Sequence, residues 1–333
     1  MISNGIEKAR HNPHNVFFSQ STVAIMSGRC RWGVWVLAVL LGACETVVEV
    51  PLPEHEAQVV AQSFFAPDSL WKVQVSNTVS FTSLAEPVGV VDATVEIWEG
   101  ERLVERLPHR GAGTYASAAR TPERGKQYTL RVSAPGHADA EGQARLPEPP
   151  QVVAFKQYPI EIDTLIGLHV TRFEIELADP PGEDNFYGLQ LRQQIEIINY
   201  NASEVTTTPW RRSSFASKDP VFNDSDVFDP EIRFYQDALF NDDFFAGRTY
   251  TLEFEIRYTD RGTDPNIEVN RSFQIFFQSV SEDYFRYWKT AELQDQVGEN
   301  PFAEPVQVHS NMTNGFGIFA GYRFEAWAYS AGS

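Results

Sequence analysis

Along residues 70–76 apolar and polar side chains alternate, which sets Trp71, Val73 and Val75 on one face and predicts a strand with one buried side. Runs of similar length lie at residues 93–99 and 102–107 around Gly100-Glu101, a hairpin signal, then after Gly111-Ala112-Gly113 and at residues 128–132. Pro147-Glu148-Pro149-Pro150 interrupts the series, and neither a central strand nor a helix interior accommodates such a run, so a domain boundary is expected there. Strand patterns resume at residues 152–158, 168–177, 187–198, 250–258 and 271–280, with Asp179-Pro180-Pro181-Gly182 forming a turn. Residues 199–246 are irregular and rich in Asn, Asp, Ser and Phe, longer than the connections of compact domains, which makes them a functional loop or a set of small elements. Ser279-Val280-Ser281-Glu282 has capping-box spacing, and Tyr284, Tyr287, Trp288 and Ala291 follow at helical intervals, so one helix is expected over 282–296.

The pattern as a whole predicts an all-β protein with one C-terminal helix. Its two halves share an echo: Arg124-Gly125-Lys126-Gln127-Tyr128-Thr129-Leu130 and Ala246-Gly247-Arg248-Thr249-Tyr250-Thr251-Leu252. A glycine turn followed by a tyrosine that opens a strand resembles the tyrosine corner of immunoglobulin-like and fibronectin-like sandwiches, where the phenol bonds back to upstream backbone. Two such β-sandwich domains in tandem are therefore expected, at residues 56–148 and 151–333, the second carrying the 199–246 loop and the helix.

The amino-terminal pattern is different. An eleven-residue apolar run from Gly33 ends in Leu41-Gly42-Ala43-Cys44 and follows Arg29 and Arg31, the arrangement of a lipoprotein signal peptide with its lipobox. The run is shorter than the roughly 20 residues that span a bilayer. Cys44 is thus expected to carry a diacylglyceryl anchor, with residues 26–43 as the signal peptide, 1–25 as an extension upstream of a start at Met26, and 44–55 as an extended tether broken by Pro51 and Pro53.

Removing residues 1–43 takes away four basic side chains (Lys8, Arg10, Arg29, Arg31) and one acidic one (Glu7), so the formal charge of −18 becomes −21. Such a field repels nucleic acid and anionic lipid, leaving the acyl chains to hold the protein on a membrane. Cys30 and Cys44 are the two cysteines, one in the leader and one committed to lipid, so disulfides contribute nothing to the mature fold.

The chain carries few signatures of catalytic or metal chemistry. His55, His109, His137, His169 and His309 are isolated in sequence, and Gly-x-Ser-x-Gly, phosphate-loop and dinucleotide fingerprints are missing. Asp224, Asp226 and Asp229 form a carboxylate cluster with Asp219, Asp237, Asp242 and Asp243 nearby. A calcium loop counted from Asp224 would need Gly at its sixth place and Glu at its twelfth, where Asp229 and Tyr235 stand, so this is no EF-hand. Solvated loop carboxylates are the first reading and a calcium site the second. In the same loop Trp210 beside Arg211-Arg212 is where an aromatic meets paired positive charge, which marks a contact patch.

Several segments carry a family resemblance: Cys44-Glu45 through Phe64-Phe65-Ala66-Pro67-Asp68, then Leu239-Phe240-Asn241-Asp242-Asp243-Phe244-Phe245-Ala246-Gly247, then Ser281 to Tyr287, and above all Asn314-Gly315-Phe316-Gly317-Ile318-Phe319-Ala320-Gly321. Together they resemble a family of Bacteroidota outer-membrane lipoproteins catalogued as domain of unknown function 4249. The resemblance implies an outer-membrane location, cell-surface or periplasmic, often beside a TonB-dependent transporter, and an accessory role in nutrient uptake. It supplies no catalytic residues. The Asn300 to Gly321 segment is expected to be a structural lock closing the second sandwich, with glycine where backbone turns or approaches closely. These readings combine into a non-enzymatic binding or accessory lipoprotein without a cofactor; an adhesin-like or scaffold role in the envelope is the alternative.

Overall fold

The computed structural model describes residues 56–80, 86–223, 232–259, 264, 266–298, 304 and 306–331. The upstream extension at 1–25, the signal peptide at 26–43, Cys44 with its tether, and Asp224, Asp226 and Asp229 lie outside the described residues.

Among the described residues the chain forms three sheets and one long helix. A ten-stranded sheet contains β1 (Val59–Phe65), β2 (Lys72–Asn77), β5 (His109–Gly111), β6 (Thr114–Ala116), β12 (Phe186–Asn199), β13 (Glu204–Thr207), β14 (Arg211–Ser213), β17 (Asp237–Asn241), β19 (Ile267–Val280) and β21 (Phe316–Ala331). Its main path runs β13-β12-β19-β21-β1-β2-β6-β5. A five-stranded sheet holds β3 (Thr94–Glu99), β4 (Arg102–Leu107), β7 (Gln127–Ser133), β8 (Ala140–Arg145) and β20 (Met312–Thr313). The remaining six-stranded sheet holds β9 (Val152–Gln157), β10 (Glu161–Asp163), β11 (Leu168–Ala178), β15 (Phe215–Ser217), β16 (Arg233–Tyr235) and β18 (Thr249–Thr259). Helix α1 spans Glu282–Gly298.

Alternation in sequence becomes alternation in burial. Trp71, Val73 and Val75 are fully buried, and β3 and β4 pair as the expected hairpin around Gly100, whose positive φ of 56° is the turn conformation that glycine adopts without a side-chain clash. The inner faces of β1, β2 and β6 meet those of β3, β7 and β8 in a first core that includes Val59, Trp71, Val73, Ile97, Leu130 and Val132. Phe173, Leu189, Phe254, Ile275 and Phe277, from β11, β12, β18 and β19, lead a second. Both cores lie against the ten-stranded sheet, and the described residues from 56 onward cluster as one compact unit.

That continuity changes the part expected of the C-terminal segment. Asn314 to Gly321 does not close the second core; Met312 and Phe319 belong to the first. β20 pairs with β8, and β21 pairs in parallel with β1 from Val60↔Phe316 to Phe65↔Gly321. From Tyr322 onward β21 instead pairs antiparallel with β19, and Tyr329 and Ala331 enter the second core. On the same face, the interval between these apolar stretches is polar, with Arg323 and Glu325. Burial lowers the Arg323 pKa and raises that of Glu325, and Arg323 lies 3.8 Å from Glu148 in the proline-rich connection. The glycines do what close approach requires: a Cβ on Gly315 would sit 2.7 Å from the Val59 carbonyl oxygen, and one on Gly317, whose φ is +117°, would collide with the Ala61 carbonyl.

The tyrosine echo holds in one half. The Tyr128 hydroxyl accepts a hydrogen bond from the Glu123 backbone N–H at 2.8 Å, the corner expected. Gly247 repeats the positive φ of Gly125 (67° and 70°), but the Tyr250 hydroxyl donates to the Asp219 carboxylate, 31 positions upstream. Asp219 also accepts the Val221 and Glu253 N–H groups, each at 3.1 Å, so it caps the 3-10 turn Pro220–Phe222 and ties the long loop to β18. The loop at 199–246 is accordingly a set of short elements, β13 to β17, rather than an open connection.

Candidate functional site

Helix α1 begins at Glu282 as expected, with its cap at Ser281 rather than at the Ser279 of the capping-box spacing. Ser279 stays in β19, and Ser281 is the cap: its carbonyl accepts the Phe285 N–H at 3.0 Å and its hydroxyl accepts that of Tyr284 at 3.4 Å. The Ser281 N–H is held by the Gly321 carbonyl at 3.0 Å, so the helix starts where β21 leaves β1. Glu282 and Asp283 fill the first turn, where negative charge complements the helix dipole. The expected helical face packs on the sheet's outer side, with Phe64 at ring distances of 5.2 Å from Tyr284, 5.6 Å from Tyr287 and 5.5 Å from Trp288. Burial pushes the pKa values of Tyr284 and Tyr287 upward, so both phenols stay neutral at physiological pH.

Beside the helix lies a groove of about 590 Å³. One wall is α1, with Tyr284, Trp288, Glu292, Asp295 and Gln296; the facing wall is residues 234–239, where the chain crosses from β16 in one sheet to β17 in another through Gln236. Gly188, Gln190 and Gln278 contribute from β12 and β19. Asp237 is fully engaged: one oxygen accepts the Gln190 amide at 2.8 Å and the other meets Arg212 at 2.8 Å. With Arg212 mostly exposed, this pair fixes geometry more than it adds stability.

The contact patch expected at Trp210, Arg211 and Arg212 is divided. Arg212 pairs across from Arg192, whose guanidinium lies 5.0 Å from the Phe276 ring, and lines the groove. Arg211 points to the other face by strand alternation, and Trp210, 38% exposed, precedes β14 outside the groove. Nor do the carboxylates named alongside Asp224 converge: Asp219 caps its turn, Asp237 pairs with Arg212, Asp242 is buried and accepts the Asn185 N–H at 3.0 Å, and Asp243 accepts the Asn241 amide at 2.7 Å. Among the described residues no group of three metal-ligating side chains converges.

A histidine–carboxylate contact does occur. His309 Nε2 lies 2.8 Å from Asp283 Oδ1, while Asp283 Oδ2 accepts the Asn311 amide at 3.1 Å. Asn311 also brackets Phe319, donating to its carbonyl at 2.8 Å and accepting its N–H at 2.9 Å. Thr290, the hydroxyl bonded nearest, accepts the His309 N–H and donates to the Arg286 carbonyl, which leaves it committed to helix and segment. These bonds clasp residues 309–311 between α1 and β21. Sequence reasoning missed both the clasp and most of the groove, because Phe234, Trp288 and Asp295 are spread over some sixty positions with no motif linking them.

The architecture defines a β-rich protein in which helix α1 roofs a polar-aromatic groove on a shared sheet, and no helix among its described residues is long and apolar enough to cross a membrane. Over residues 45–325 the chain matches the domain of unknown function family DUF4249, and it belongs to that family. No curated protein matches it.

Proposed function

We propose that this is a non-enzymatic lipoprotein, held on the outer membrane through Cys44, that acts as a binding or accessory subunit of a TonB-dependent nutrient-uptake system. The observation that carries the reading is the sequence Leu41-Gly42-Ala43-Cys44 ahead of a short acidic tether, which leads into a body with an accessible groove. The groove supports binding because Asp237, one oxygen on Gln190 and the other on Arg212, fixes two of its polar side chains in place. Calcium in the 224–229 segment remains a secondary element of this proposal, tested by a calcium-dependent rise in melting temperature. Radiolabelled palmitate should label the protein in cells and fail to label Cys44→Ser. Pull-down of the tagged, lipidated protein in mild detergent should recover an outer-membrane barrel in stoichiometric amount; an unlabelled protein, or one recovered alone, contradicts the proposal.

A second reading, an adhesin-like or envelope scaffold, draws on one feature: β21 runs through both cores and joins them in one sheet, as a stiff spacer requires. It is favoured if the protein is labelled but brings down no barrel.

A further inference from the structure

We propose that the groove between α1 and β17 is a saccharide site, selective for neutral oligosaccharides; this rests on the reading of the protein as a binding subunit and names what it binds. Its volume of about 590 Å³ lies within the range of small-ligand sites, which bury most of their ligand. Phe234 on one wall is 61% exposed and Trp288 on the other is 37% exposed. Large rings left in water on both sides of a cleft offer flat apolar faces, and the C–H face of a pyranose is flat and apolar in the same way.

Four carboxamides line the groove beside its charged groups: Gln190, Gln236, Gln278 and Gln296. Each carries two donors and a two-lone-pair acceptor, the complement of a hydroxyl that both gives and receives. Asp237 holds Gln190 and Arg212 in place, so these donors are oriented before a ligand arrives. Charge narrows the class further. Arg212 is already paired, and Glu292 and Asp295 lie on the helical wall of a protein of formal charge −18, a combination that disfavours phosphate, sulfate and uronate ligands.

The test is calorimetric titration of the full chain with neutral hexasaccharides of glucose, mannose and xylose, alongside hexalysine and inorganic phosphate. At least one hexasaccharide should bind, and Phe234→Ala should weaken it tenfold or more without changing the melting temperature. Tyr200→Ala, an exposed aromatic past the far end of β12, should leave binding intact. Gln236→Ala should weaken the same sugar, which separates recognition at the site from a ring effect alone. No binding to any hexasaccharide, binding of hexalysine in their place, or sugar binding that survives both Phe234→Ala and Gln236→Ala overturns the proposal. A recovered barrel without sugar binding removes the ligand class and leaves the accessory role standing, whereas sugar binding without a barrel does the reverse.

Discussion

The two cores differ in where their residues come from. The second draws Phe173 to Phe277 from one continuous stretch and takes Tyr329 and Ala331 from the chain's last strand. In contrast, the first draws Val59 to Leu146 from the amino-terminal half and is finished by Met312 and Phe319, well over 150 positions later. One core can assemble largely from its own segment, while the other waits for the C-terminal strand and carries the loop-closure entropy of that long-range contact. A single strand serves both because its core-facing side reads apolar at Phe319, polar at Arg323 and Glu325, and apolar again from Trp327 to Ala331.

The sharpest way to break this asymmetry is Gly317→Leu, which places a branched side chain at a φ of +117° against the Ala61 carbonyl. It should separate β21 from β1 and cost more than the roughly 4–5 kcal/mol that marks exceptional substitutions, read as an early, distinct melting transition. Phe319→Ala, which empties a fully buried ring site, should cost about 3–5 kcal/mol in denaturant titration, and its loss should appear in the first core; Phe254→Ala should cost a similar amount in the second. A smaller contrast separates the two tyrosines. Tyr250→Phe leaves the Asp219 carboxylate short of a donor and should cost about 1.5–3 kcal/mol, whereas Tyr128→Phe, which removes a bond to neutral backbone, should cost about 1 kcal/mol. The smallest effect concerns the polar interval. Burial raises the pKa of Glu325, so the folded state holds that proton more tightly than the unfolded chain and loses stability as pH climbs past the ordinary glutamate range toward the raised value. Glu325→Gln should therefore raise the melting temperature at neutral pH and leave it unchanged in acid.

Strands with regular alternation were legible because burial on one face imposes a period of two. The pattern located β2, the β3–β4 hairpin, β11, β12, β18 and β19, and helical spacing located α1. β21 was not legible as a strand because its first half is buried on both faces and glycine-rich, its middle is polar and its end alternates; three environments along sixteen residues give no single period. The Asn-Gly-x-Gly-x-Phe-x-Gly string pointed to close backbone approach, which the Gly315 and Gly317 contacts bear out, but nothing in it identified β1 as the partner. Tyr250 shows the same limit: the turn glycine is a local property and was readable, while the choice of Asp219 over upstream backbone depends on where a distant loop folds back. At the groove, Arg212 drew notice because it neighbours Trp210, yet the structure uses it through Asp237, a pairing across 25 positions.

The C-terminal strand completes the first core. Native-state hydrogen exchange on the full chain carrying Gly317→Leu tests this most directly. The expected result is loss of protection throughout β1 and β2 with β11 and β18 still protected; wild-type protection across β1 and β2 would contradict the claim.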